Sequence, residues 1–248
     1  MPSRLRAYLQ DSRAPRYSLL YALPLLLLYE ILAFSLSGDA IAGVRNGADV
    51  LLKSLFIWLG GRNGLTAFAV LLLGIGAFLA GRDWRRHGTP RTSVFLGMLG
   101  ESVLYALVLG LVAGTLTSWL LPGGIPMMAV VAQGGVAALD LPTQLTISLG
   151  AGIYEELLFR VLLVSGLAAL AGRGLGWGRG ASGVFAAVLG ALIFSAFHYV
   201  GAYGDPWELG SFTFRAIAGL LFSGLYLTRG LGITAWTHAL YDVFLALG

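Results

Sequence analysis

Long apolar runs dominate this chain. Seven can be drawn, at residues 17–37, 64–81, 93–121, 143–170, 183–200, 211–228 and 231–247. Each approaches or exceeds the roughly 20 residues that a helix needs to cross a hydrocarbon layer. No water is available there to satisfy a backbone N–H or C=O, so a chain of such runs is confined to helices that pair their own polar groups. The expected fold class is therefore all-α: a polytopic transmembrane helix bundle of about seven spans, built as one integral membrane domain over residues 1–248. Composition agrees. Charged residues are only 11% of the chain, against about 25% in a soluble domain, so this surface belongs against the lipid bilayer. The N-terminus is basic, but many apolar runs follow the first one, which reads as a retained span and not a cleaved signal.

The connectors refine the picture. Gly/Pro-rich stretches such as the one from Leu121 and the one from Ala171 separate the runs. The second superficially resembles a dinucleotide fingerprint, but no strand precedes it. Within the runs, Gly74, Gly76, Gly110 and Gly114 are expected to mark close helix packing. Segment 41–60 is different: Arg45, Asp49 and Lys53 recur every four residues and charge one helical face. This predicts a helix lying in the interface or packed partly inside the bundle, with a full span as the alternative. Trp58, Trp84, Trp119 and Trp207 sit near span ends, where indole rings anchor at the membrane surface.

The net charge of +4 comes almost wholly from arginine. Because the arginines occupy short loops between spans, they report topology and not a nucleic-acid partner. Arg4, Arg6, Arg13, Arg16, Arg82, Arg85, Arg86, Arg91, Arg173, Arg179 and Arg229 fall on one side, while Arg45, Lys53 and Arg62 fall on the other. The expectation is an integral protein of a bacterial inner membrane with its N-terminus cytoplasmic. With no cysteine in the chain, disulfides, zinc–thiolate sites and a cysteine nucleophile are excluded.

Ionisable groups inside a bilayer are costly unless they pair or face a cavity, so each needs a reason. Glu30 and Glu101 are expected to pair with Arg215 or to face a cavity. Six other groups form three short patterns: Tyr154 to Arg160 (YEELLFR), Phe194 to His198 (FSAFH) and His238 to Asp242 (HALYD). Successive helical residues point about 100° apart, so Glu155 and Glu156 cannot both face one site squarely. Arg160 follows Glu156 by four residues, the favourable order for an ion pair along a helix. Glu155 is left with no sequence-local counterion, which suits a general base. His238 and Asp242 share a face, and Asp242 is placed to accept from one imidazole N–H and so fix the ring. His87 lies in a basic loop and reads as solvated. A carboxylate base, two imidazoles and a second carboxylate on separate spans are a set able to activate water and stabilise an oxyanion.

Together these patterns resemble the CAAX protease and bacteriocin-processing family, which includes the Ras-converting endopeptidases. The likeness rests on Glu155, Glu156 and Arg160, then Phe194 and His198, then His238 and Asp242, in that order. Its catalytic core would occupy about residues 143–248. The resemblance implies an intramembrane endopeptidase of the glutamic type, needing no cofactor and acting on a peptide or protein substrate presented at the membrane. It implies that Glu155 with His198 activates water while His238 and the residue at 242 stabilise the oxyanion, with Glu156, Arg160 and Phe194 in support. Eukaryotic relatives carry Asn where this chain has Asp242, and an ionised carboxylate cannot donate a hydrogen bond. Two alternatives stay open. Glu, His and Asp are acceptable zinc ligands, which would make the chain a zinc-dependent membrane hydrolase. Intramembrane acids and histidines also build proton relays, as in a transporter or a scaffold retaining the motifs.

Overall fold

A computed structural model describes residues 2–121, 139–201 and 204–247. Among these, the chain is helical throughout and forms no strand. The helices are α1 (Pro2–Asp11), α2 (Pro15–Ser37), α3 (Gly47–Gly60), α4 (Gly64–His87), α5 (Thr92–Leu120), α6 (Leu141–Gly174), α7 (Arg179–Phe197), α8 (Leu209–Arg229) and α9 (Leu231–Leu247). The seven predicted runs fall on α2 and on α4 to α9. Six stretches are long and apolar enough to cross a membrane: α2, Gly47–His87, α5, α6, α7 and α8; α9 has 17 residues. The connector after Leu121 lies largely outside the described residues, while the one from Ala171 forms the end of α6 and then the turn into α7.

The helix ends follow from local chemistry. Pro15 occupies the first turn of α2, where its missing N–H is no loss. Gly38 closes α2 in the left-handed conformation at φ 65°, donating its N–H to Phe34 O. Asn46 and Asp140 cap α3 and α6 with side-chain oxygens.

Segment 41–60 resolves into a loop and α3. At 14 residues, α3 is about 21 Å long at 1.5 Å per residue, short of the ~30 Å hydrocarbon layer. It reverses at Gly61–Asn63 and folds back on α4, with the Phe56 and Phe68 rings 5.2 Å apart. A Cβ on Gly64 would meet the Phe56 carbonyl oxygen at 2.2 Å, so the reversal requires glycine. Its charged face turns inward: Arg45, Asp49 and Lys53 are all buried. Of the expected placements, packing partly inside the bundle is the one this matches: the charged face is buried while Leu55, Trp58 and Leu59 stay exposed.

Large aliphatic and aromatic side chains such as Leu27, Ile31, Val70, Phe78, Leu104 and Leu111 point outward, while much of the interior is alanine and glycine. Such inversion suits a protein whose helices associate by close approach in lipid. Helix α9 is gripped this way on three sides. A Cβ on Gly152 of α6 would lie 2.5 Å from the Ala239 methyl, one on Gly110 of α5 would lie 2.7 Å from the Tyr241 ring, and one on Gly232 would strike the Ser18 carbonyl oxygen of α2. The Trp236 indole also donates to Tyr21 O at 2.7 Å. Gly110 therefore plays its expected packing role and Gly114 is buried. Gly74 and Gly76 do not, since nothing lies within 4 Å of where their Cβ would be. The four tryptophans expected as anchors are all exposed.

Two expected ion pairs are corrected. Glu101 is gripped by Arg229, with Nε–Oε1 and Nη2–Oε2 both at 2.6 Å, and accepts from Tyr8 at 2.7 Å. Glu30 is held by Arg45 and Lys53, each at 2.8 Å. Arg215 instead pairs with Asp205. The helical periodicity that located these charges carried no information on which helices would be neighbours. Arg16 meets Asp11 and Asp83, and Arg229 reaches Ser12, so several arginines assigned to one side do share one end of the bundle.

Candidate active site

The site is built around the middle of α6. From Ala151 to Val164 the backbone widens into π-helix, which contains both glutamates. Such widening is rare and is enriched at functional sites. Glu155 and Glu156 are 7% and 0% exposed. Adjacent in sequence, they point to different partners, as their angular separation requires.

Glu156 faces α9. Its Oε2 lies 3.2 Å from Arg160 Nε, and its Oε1 lies 2.7 Å from His238 Nδ1. The carboxylate can only accept, so Nδ1 carries the proton and Nε2 is presented on the other side. Asp242 is on that far side, its Oδ2 3.6 Å from Nε2, beyond hydrogen-bond range. This corrects the expected arrangement: the group that orients His238 is Glu156, on another helix, and not Asp242 one turn away on its own. Asp242 is also the more open of the two carboxylates, with 28% of its side chain exposed against none for Glu156.

Aromatic rings complete the support. The Arg160 guanidinium sits 4.4 Å over the Phe194 ring and 5.4 Å over the Phe222 ring. Such stacking offsets part of the cost of burying a cation. Phe222 also stacks on His238, centroids 4.3 Å apart at 25°. Phe194 is the floor of the site, edge-on to Phe159, His198 and His238. Its carbonyl lies 2.9 Å from His198 Nδ1. A carbonyl can only accept, so His198 too holds its proton on Nδ1 and leaves the Nε2 lone pair free when neutral. The spacing Phe-x-x-x-His at the end of α7 thus has two physical uses: a ring under Arg160 and a carbonyl four residues before the imidazole.

Glu155 faces the other way, within electrostatic range of His198, His238 and Arg160. Its hydrogen bond among the described residues comes from Asn46, whose Nδ2 donates to Oε1 at 2.9 Å. Asn46 was not singled out by sequence reasoning. It stands just before α3, in a loop shaped by Asp39, whose Oδ1 accepts from the Ile41 and Ala42 N–H groups at 2.8 and 3.0 Å. Those two amides hold the Asp39 carboxyl below the usual carboxylate range. Phe222 was also missed, having no polar group to attract attention. Among the described residues, no three His, Asp or Glu side chains converge as a metal ion would require.

A helical membrane protein with two buried glutamates facing two oriented imidazoles on separate helices is the class that fold and geometry define. Residues 137–244 match the family model described as type II CAAX prenyl endopeptidase Rce1-like. The chain carries an Rce1-like domain over those residues, consistent with the CAAX protease and bacteriocin-processing family that its motifs resemble. No curated protein and no solved structure matches it. The match covers under half of the chain and points, at family level, to intramembrane CAAX-type endopeptidases.

Proposed function

We propose that the chain hydrolyses a peptide bond of a membrane-anchored peptide, with Glu155 as the general base. One observation carries the reading. Glu155 is a buried carboxylate whose hydrogen bond comes from a neutral amide, while its neighbour Glu156 takes the cationic partners. Glu155 is thus available to accept a proton.

In this scheme water lies between Glu155 and the free Nε2 of His198. As the water oxygen attacks the scissile carbonyl carbon, its proton passes to Glu155. The carbonyl oxygen becomes an oxyanion. His238 works as imidazolium, its Nδ1–H held by Glu156 and its Nε2–H directed at that oxyanion. Collapse of the tetrahedral intermediate breaks the C–N bond, and Glu155 returns its proton to the departing amine. The products are a carboxylate and an amine, and no electrons change hands. The two histidines divide the work by their Nδ1 partners: a carbonyl for the neutral ring and a carboxylate for the charged one.

The test uses purified protein in lipid with two quenched fluorescent peptides, one farnesylated and ending in a CAAX sequence, the other the tail of a single-span protein. Wild type should cleave at least one. Glu155→Gln should lower that rate by roughly 10²–10⁴-fold, the scale of a lost general base, with an unchanged melting temperature. Cleavage of neither peptide by wild type, or wild-type turnover by Glu155→Gln, overturns the proposal.

A further inference from the structure

We infer that Asn46, supplied from outside the Rce1-like domain, is a positioning residue that aims Glu155 at the attacking water. This rests on the reading of Glu155 as the base.

Asn46 is 4% exposed and every polar group on it is held by a defined partner, its backbone carbonyl accepting from Val50 N–H at 3.1 Å. Its Oδ1 accepts from Ala48 N–H at 2.9 Å, the helix-capping bond of α3. That bond settles the orientation of the amide: with oxygen committed to an N–H, the group facing Glu155 must be the NH₂ donor. The backbone N–H of Asn46 donates to the Tyr29 hydroxyl at 3.0 Å. The Tyr29 hydroxyl in turn donates to Asp49 Oδ2 at 2.7 Å. Asp49 is itself clamped between Arg45 at 3.1 Å and Lys53 at 2.8 Å, and both cations also hold Glu30. Glu30 accepts from Tyr154, the residue immediately before Glu155. The circuit therefore leaves the domain through Asn46 and re-enters it beside the glutamate.

Packing allows no slack. A Cβ on Gly150 of α6 would lie 2.7 Å from Asn46 Cβ and 2.5 Å from the Tyr29 ring, so α6 approaches this corner as closely as glycine permits. Asn46 occupies Oε1 of Glu155 with a neutral donor. That fixes the carboxylate plane without neutralising its charge, and it leaves Oε2 with no hydrogen-bond partner among the described residues. Arginine at this position would supply a counterion and blunt the base. An apolar residue would leave the carboxylate free to turn. Asparagine also caps α3, so capping and positioning must be separated in the test.

Asn46→Ser does this, because serine caps a helix as well as asparagine does but is too short to reach Glu155. With whichever peptide the wild type cleaves, Asn46→Ser should lower kcat by about 10- to 100-fold, the scale of a misplaced catalytic group. KM should stay within about twofold and the melting temperature should not move. Tyr29→Phe, which keeps the ring but removes the hydroxyl that holds the Asn46 backbone, should lower kcat in the same sense by less. Wild-type kcat in Asn46→Ser sinks the inference. So does a fall in kcat that merely tracks a fall in melting temperature across both variants. If Asn46→Ser does not fold, Tyr29→Phe decides alone, and an unchanged kcat there rejects the positioning role. Glu155→Gln runs beside them: activity in that variant rejects the base itself, whereas an inactive Glu155→Gln with a fully active Asn46→Ser rejects only the role of Asn46.

Discussion

Two groups of charge lie buried side by side in this bundle, and they are finished differently. Glu30 and Asp49 face Arg45 and Lys53, two acids against two bases, every cross-pair at 2.8–3.1 Å. Around α6, Glu156 and Arg160 form a similar pair, but the neighbouring members do not close on one another. Glu155 takes an amide, His198 a carbonyl, and Asp242 stands 3.6 Å from the nearest imidazole nitrogen. Both groups bear the cost of leaving water. A set that cancels itself is structure. A set that keeps lone pairs oriented but unspent is equipped for chemistry.

Breaking Glu156 tests where the two kinds of burial meet. Glu156→Gln strips Arg160 of its counterion and leaves His238 Nδ1–H a neutral amide oxygen in place of a carboxylate. It should cost about 3–5 kcal/mol of stability, as for a buried pair broken on one side, and reduce kcat of the surviving protein by more than tenfold. Thermal unfolding in lipid and peptide cleavage measure the two losses. Normal cleavage with only a stability loss would mean that His238 does not need Glu156.

Lys53→Met probes the closed group. Glu30 is partly exposed and can recover some solvation, so the expected loss is smaller, about 2–3 kcal/mol, with kcat of the folded fraction reduced less than tenfold. A kcat loss exceeding that of Glu156→Gln would break the comparison.

The smallest effect is expected at Asp242. Because Glu156 already orients the ring and Asp242 lies out of hydrogen-bond range, Asp242→Asn should change kcat by less than about tenfold, under ~1.4 kcal/mol of transition-state stabilisation, with no change in melting temperature. Measured on one peptide, the order Glu156→Gln worse than Asp242→Asn identifies which carboxylate serves His238. The reverse order would restore the pairing that helical spacing alone suggested.

That last case shows how far a one-dimensional reading reaches. Spacing of four residues correctly put Arg160 beside Glu156 and His238 on one face with Asp242, because helix geometry is local. It could not weigh Asp242 against Glu156 as the partner of His238, since Glu156 is 82 residues away along the chain. Asn46 offered a signal of its own: an asparagine three residues before an aspartate at a helix start. That signal speaks only of a cap. Its partner Glu155 is 109 residues distant.

By itself, then, the sequence determined the all-helical membrane character, because apolar runs of this length have no other way to satisfy their backbone in hydrocarbon. It also marked the ionisable residues that need a partner or a cavity, because such groups are costly in apolar runs. Only the tertiary structure decided who meets whom. The inward turn of α3, the seating of α9 against Gly110 and Gly152, and the Asn46–Glu155 bond all depend on which helices approach closely. In lipid that choice rests on contacts among small side chains, such as Gly150 against Asn46 and Tyr29, which leave no periodic trace along the chain.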